Sequence, residues 1–97
     1  MTNISINLDN NVLFISGYIN FDNLEKVLHE CIKKTSKFTY IKINLKNLYK
    51  PNSSVLIFMI NYIRHTMRHK QVVKFMDIPE LLSELSKVYN LKSIISR

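Results

Sequence analysis

The sequence predicts an α/β fold, a mixed four-stranded sheet in the order β-β-α-β-α-β-α with helices packed on it, and three observations lead there. Ile4, Ile6 and Leu8, and again Ile41, Ile43 and Leu45, alternate with polar residues at the period of half-buried strands. Leu24, Val27, Leu28 and Cys31 recur instead at i, i+3, i+4 and i+7, which is helical spacing. Segments of the two kinds then alternate along the chain, as crossovers between parallel strands require.

The first two strands are separated by Asp9-Asn10-Asn11, a tight-turn signal ahead of the apolar run Val12-Leu13-Phe14-Ile15. Gly17, the only glycine, ends the second strand. Asp22 and Glu25 have the spacing of a capping box before the first helix. The third strand, Ile41–Leu45, leads to Pro51-Asn52-Ser53-Ser54, where Asn52 or Ser53 suits an N-cap, and a helix is expected from Ser53 to Arg68. Val72, Val73 and Phe75 give a short fourth strand. Pro79 sits where a first helical turn tolerates it, and Leu81, Leu82, Leu85, Val88 and Tyr89 mark a last helix. A chain of 97 residues without linker or repeat is expected to form one domain, residues 1–97.

Composition narrows the function classes. Apolar residues make up 46% and charged residues 22%, ordinary for a packed chain. The net charge of +7 raises the question of nucleic acid, but the basic residues run from Lys26 to Arg97 through nearly every segment and form no local run. No nucleic-acid partner is expected on that ground. Cys31 stands alone, so no disulfide can form within the chain and a reducing compartment is implied. The N-terminus MTNISINLDNN has neither the basic start nor the apolar stretch of a signal peptide, and no run approaches the roughly 20 apolar residues of a membrane span. A cytoplasmic protein is expected, one that meets a membrane only through a partner.

In open sheets of this kind, binding sites form on the rim where loops leave the carboxyl ends of the parallel strands. The segments Ser16–Asp22 and Pro51–Ser54 should meet there. Both resemble signature stretches of the STAS family, named for sulfate transporters and anti-sigma-factor antagonists. Ser16–Leu24, SGYINFDNL, is similar to the strand-to-helix passage often written SGELDFDTL, and Tyr49–Ile60, YKPNSSVLIFMI, to the passage V-D-S-x-G-L before an apolar helix. Glu84–Ile95, ELSKVYNLKSII, resembles the ending LAKLYNL of one branch, the STAS subunits of maintenance-of-lipid-asymmetry (Mla) phospholipid transporters. The chain departs from the pattern at Asn20 and Asn52, where the family commonly has Asp, and at Val55, where it has Gly.

The resemblance implies a STAS-type sheet and a non-catalytic cytoplasmic subunit, without cofactor, that binds and regulates the ATPase subunit of a bacterial phospholipid-transport ABC complex. The contact lies around the start of the second helix, which selects Asn20, Phe21, Pro51, Asn52, Ser53, Ser54 and Val55. The alternative it implies is an anti-sigma-factor antagonist, in which the residue at Ser53 is the phosphosite. With Asn at 20 and 52 the acidic surroundings of such a phosphosite are missing, which favours capping and partner contact for Ser53.

Helical spacing divides the second helix into two stripes. Leu56, Ile60, Ile63 and Met67 are assigned to the sheet, and Val55, Phe58 and Tyr62 to a second stripe available to the partner. His65 and His69 stand at i, i+4, but no neighbouring Asp, Glu or Cys completes a metal site. Neither Cys31 nor Ser53 has an identifiable activating base, and no glycine-rich phosphate loop is present, so no enzymatic activity is expected.

Overall fold

The structure of the protein, a computed structural model, describes residues 4–88. Its elements follow the expected order: β1 (Ser5–Asp9), β2 (Val12–Ser16), α1 (Leu24–Thr35), β3 (Tyr40–Asn44), α2 (Ser53–Arg68), β4 (Val72–Met76) and α3 (Glu80–Val88). The strands lie side by side in chain order. β1 pairs antiparallel with β2, β2 parallel with β3, and β3 parallel with β4, so the sheet is mixed as predicted. Tyr89 and most of the Glu84–Ile95 stretch lie outside the described residues. Among the described residues no helix is long and apolar enough to cross a membrane.

The β1–β2 turn is made by Asn10 and Asn11, with φ of 51° and 64°. Positive φ at both central positions is what a two-residue hairpin turn with the strands' own twist demands, and Asn tolerates it better than other side chains. Antiparallel register then puts Ile6 beside Ile15 and Leu8 beside Leu13, on the face where Ile41, Ile43, Val73 and Phe75 also stand. The helices cover this face. Leu13, Ile15, Ile41, Ile43 and Phe75 form one core with Val27 and Cys31 of α1, most of the apolar residues of α2, and Leu82 of α3. Among the described residues no helix lies on the opposite face of the sheet.

The second helix has the predicted limits but not the predicted orientation. Val55, Phe58 and Tyr62, expected on a free stripe, are among the most buried residues of the protein, together with Met59 and Thr66. Of the stripe assigned to the sheet, Leu56 is buried, Ile60 and Ile63 are half-buried, and Met67 is 72% exposed. The reason is that α2 packs against α1, β4 and α3 at once, so an apolar arc wider than one stripe is buried. Within that arc the aromatic residues take the centre. Phe58 meets Tyr62 edge-on at 5.8 Å, and Tyr62 meets Phe75 at 6.2 Å. The Tyr62 hydroxyl is satisfied inside the core by the Thr35 hydroxyl and by donating to the Cys31 carbonyl at 3.2 Å, so this polar tip can be buried without leaving an orphaned group.

Cys31 is buried in the same place. Burial pushes its thiol up from 9.0 to about 12, with Glu30 adding to the shift and Lys34 opposing it. Thiolate is the reactive form, so thiol alkylation of the native protein near pH 8 should be slow and should follow unfolding when denaturant is added. A thiol protonated in the fold and ionised in the unfolded chain also favours unfolding above pH 9, and stability should fall as pH rises toward about 12. Tyr62, raised by the same burial, acts in the same direction. Fast labelling of folded protein would show that the α1–α2 seam opens more readily than this packing allows.

Candidate functional site

The rim at the carboxyl ends of β2 and β3 is built from the two segments that the sequence singled out. Gly17 starts it. With φ of 108° it occupies backbone space open to glycine, and this turns the chain leaving β2 alongside the segment that follows β3. Gly17 forms a parallel bridge with Leu48, donating its N–H to the Asn47 carbonyl at 3.4 Å and accepting from the Tyr49 N–H at 2.7 Å. The two segments are thus joined backbone to backbone before any side chain contributes.

Beyond Gly17 the loop is held by two asparagines. Asn20 Oδ1 accepts from the N–H groups of Asp22 and Asn23, at 2.8 and 3.0 Å, while Asn23 Oδ1 accepts from the Asn20 N–H at 2.9 Å. This reciprocal pair satisfies donors at the entrance to α1 as a capping box does. The pair closes the turn ahead of α1, whose N-cap Asn23 makes no side-chain cap bond, and the expected Asp22–Glu25 box does not form. Asn23 Nδ2 also donates to the Tyr18 carbonyl at 2.8 Å, closing the loop on itself. Ile19 is buried in the core, whereas Phe21 is left 68% exposed at the tip.

The second segment is fixed by Asn52. Its Oδ1 accepts from the Ser54 N–H at 2.8 Å, capping α2, and its Nδ2 donates to the Ile19 carbonyl at 2.9 Å and to the Lys50 carbonyl at 3.1 Å. One side chain thus starts the helix and ties the two loops together. Because Asn52 is the cap, the hydroxyl of Ser53 is not needed for that role. Ser53 is exposed, and among the described residues no hydrogen bond engages its hydroxyl.

Of the residues that the sequence nominated, Asn20, Phe21, Pro51, Asn52 and Ser53 are assembled on this rim, with Phe21 and Ser53 exposed and the other three half-buried. Ser54 is beside them but buried. Val55, Phe58 and Tyr62 are not part of the surface. The rim also holds residues the sequence reading passed over. Tyr18 and Tyr49 meet edge-on at 6.4 Å, and with Asn20, Asp22, Asn23, Lys26 and Lys50 they line an open hollow of about 770 Å³. The Lys50 ammonium stands 5.4 Å from the centre of the Tyr49 ring. Both tyrosines lie inside the resemblance segments, so their position in SGYINFD and YKPNSS was the available signal.

This arrangement suits recognition by surface: exposed aromatic rings, amides and two ammonium groups on a backbone locked by hydrogen bonds. The histidines lie elsewhere. His65 and His69 stack at 4.1 Å near the far end of α2, where His69 Nδ1 is 2.9 Å from the His65 carbonyl oxygen. Partial burial holds His65 below its usual value, with His69 and Arg68 adding to the effect. Among the described residues no three His, Cys, Asp or Glu side chains are grouped as a metal site would need. No family model matches the chain, and no curated protein matches it in sequence.

Proposed function

We propose that the protein is a non-catalytic STAS-type binding subunit whose rim grips the ATPase subunit of a bacterial phospholipid-transport ABC complex. The observation that supports this reading is the Asn52 bridge to Ile19: the two stretches that resemble the STAS signature, far apart in sequence, are held as one surface. Such a surface, rigid before binding, loses little conformational freedom on association. Phe21 and Tyr49 supply exposed aromatic anchors, and Ser53 stands beside them at the start of α2.

The test is a binding titration of the full chain against the ATPase subunit encoded nearest to it. Phe21→Ala should weaken binding by roughly 2 kcal/mol, as loss of an aromatic anchor does, without lowering the melting temperature. Ser53→Glu should weaken it more than Ser53→Ala, because a carboxylate would be buried without a partner. Unchanged affinity in both Phe21→Ala and Ser53→Glu would put the interface elsewhere.

A second reading draws on one feature of the same rim. The Ser53 hydroxyl is exposed and uncommitted at a helix N-terminus, where a phosphate is favoured by the helix dipole and free N–H groups. This suits an anti-sigma-factor antagonist switched by phosphorylation. Intact-mass measurement on protein from its own cells separates the two readings: a substantial fraction carrying one phosphate at Ser53 selects the switch, and its absence under all growth conditions selects the transporter subunit.

A further inference from the structure

The face of the sheet that no helix covers among the described residues has a charge pattern that chain order conceals. All seven acidic residues lie within Asp9–Glu30 or Asp77–Glu84, so the stretch between Glu30 and Asp77, which contains β3, α2 and β4, has no carboxylate side chain at all. Parallel register pairs Tyr40 with Val72 and Lys42 with Lys74 on the open face. Two lysines directly opposite each other repel and weaken the strand pair they sit on, and neither strand offers a carboxylate to relieve them. Of the acidic groups, Asp9 is on β1 at the opposite edge of the sheet, and Asp77 follows the end of β4, where it accepts from Asn44 Nδ2 at 2.8 Å.

The apolar residues of the face complete the pattern. Tyr40 and Val72, neighbours across β3 and β4, are 51% and 54% exposed. The Lys42 ammonium lies 5.8 Å from the centre of the Tyr40 ring, and that of Lys46 lies 5.7 Å from the centre of the Phe14 ring. Lysine ammonium groups held beside aromatic rings on an exposed face suit a water–lipid boundary, where tyrosine sits at headgroup depth and lysine meets the phosphates. We infer that the open β3–β4 face docks directly on an anionic lipid bilayer, with Lys42 and Lys74 against the headgroup phosphates and Tyr40 and Val72 in the interface. Single-stranded nucleic acid fits less well, because it needs a row of free rings for its bases, whereas Phe14 is half-buried and Tyr40 is already overlain. This surface is separate from the rim, so the inference stands whether or not the rim binds an ATPase.

The experiment is vesicle flotation with the full chain. It should float with vesicles of phosphatidylcholine containing about one-third phosphatidylglycerol, not with phosphatidylcholine alone, and should be released by salt. Lys42→Glu/Lys74→Glu should lower the partition coefficient at least about tenfold, since each lysine near an anionic surface contributes measurably. The same variant should melt close to the parent, because it exchanges one like-charged pair across β3 and β4 for another. Lys33→Glu/Lys34→Glu, on α1 and therefore on the other side of the sheet, alters net charge equally and should lower partitioning less than about threefold. Equal losses from the two double variants would reduce the effect to net charge and overturn the inference. So would failure to float with the anionic vesicles, or tighter binding to a single-stranded oligonucleotide that the Lys42/Lys74 change abolishes.

Discussion

Phe58→Ala should cost the fold about 3–5 kcal/mol, the usual range for removing a fully buried aromatic ring. Phe58 has no exposed surface and lies edge-on to Tyr62, which in turn meets Phe75 of β4. Truncation leaves a cavity between α2 and the sheet and removes one ring from a chain of three. For a domain of this size, total stability is about 5–15 kcal/mol, so the loss is a large fraction of it. The melting temperature should drop by about 12 °C or more, at roughly 4–8 °C per kcal/mol. Met67→Ala, on the stripe that periodicity assigned to the core, should change stability by less than about 0.5 kcal/mol because its side chain is mostly in water. The pair of measurements tests the rotation of α2 about its axis. The reverse ranking, with Met67→Ala the damaging change, would restore the Phe58 stripe to the surface.

The limits of α2 were legible because they depend on local chemistry: Pro51 and Asn52 stop the preceding segment and cap the helix, and the helix ends before the φ-positive Lys70. Its orientation was not. Two adjacent apolar stripes satisfy the same 3.6-residue period, and choosing between them requires knowing that three other elements pack around the helix. Tyr62 in particular reads as an exposed anchor until Thr35 and Cys31, on a different helix, are found to satisfy its hydroxyl. Sequence spacing also pointed to the wrong capping box. Asp22 and Glu25 match the common pattern, whereas the reciprocal pair that forms, Asn20 and Asn23, lies in the turn before α1 and uses amides. The Lys42–Lys74 pair was hidden for a different reason, since it arises from the register of two strands separated by an entire helix.

Asn52 is where fold and candidate site depend on a single side chain, and the Asp substitution there gives the sharper test. Asn52→Ala removes the cap of α2 and the donor to the Ile19 carbonyl together, and should cost about 2–3 kcal/mol. Asn52→Asp installs the residue that the STAS signature commonly has. On this backbone it should still destabilise, by about 1 kcal/mol at neutral pH. The carboxylate keeps the acceptor for the Ser54 N–H and gains from the helix dipole, but it loses both donated bonds and faces the Ile19 and Lys50 carbonyl oxygens. Those oxygens favour the protonated carboxyl, which donates to one of them, so the folded-state pKa of the new Asp rises above its unfolded value. A raised pKa means that the fold takes up the proton first, and the deficit against the parent should shrink as pH falls toward about 4. Partner binding at the rim should weaken in both variants, because the loops of Ile19 and Asn52 are no longer held together. Chemical denaturation of the three proteins at neutral and acidic pH measures the whole series. An Asn52→Asp protein as stable as the parent at neutral pH would mean that the Nδ2 bonds do not hold the rim, and that the two loops are kept in place by the Gly17–Leu48 bridge alone.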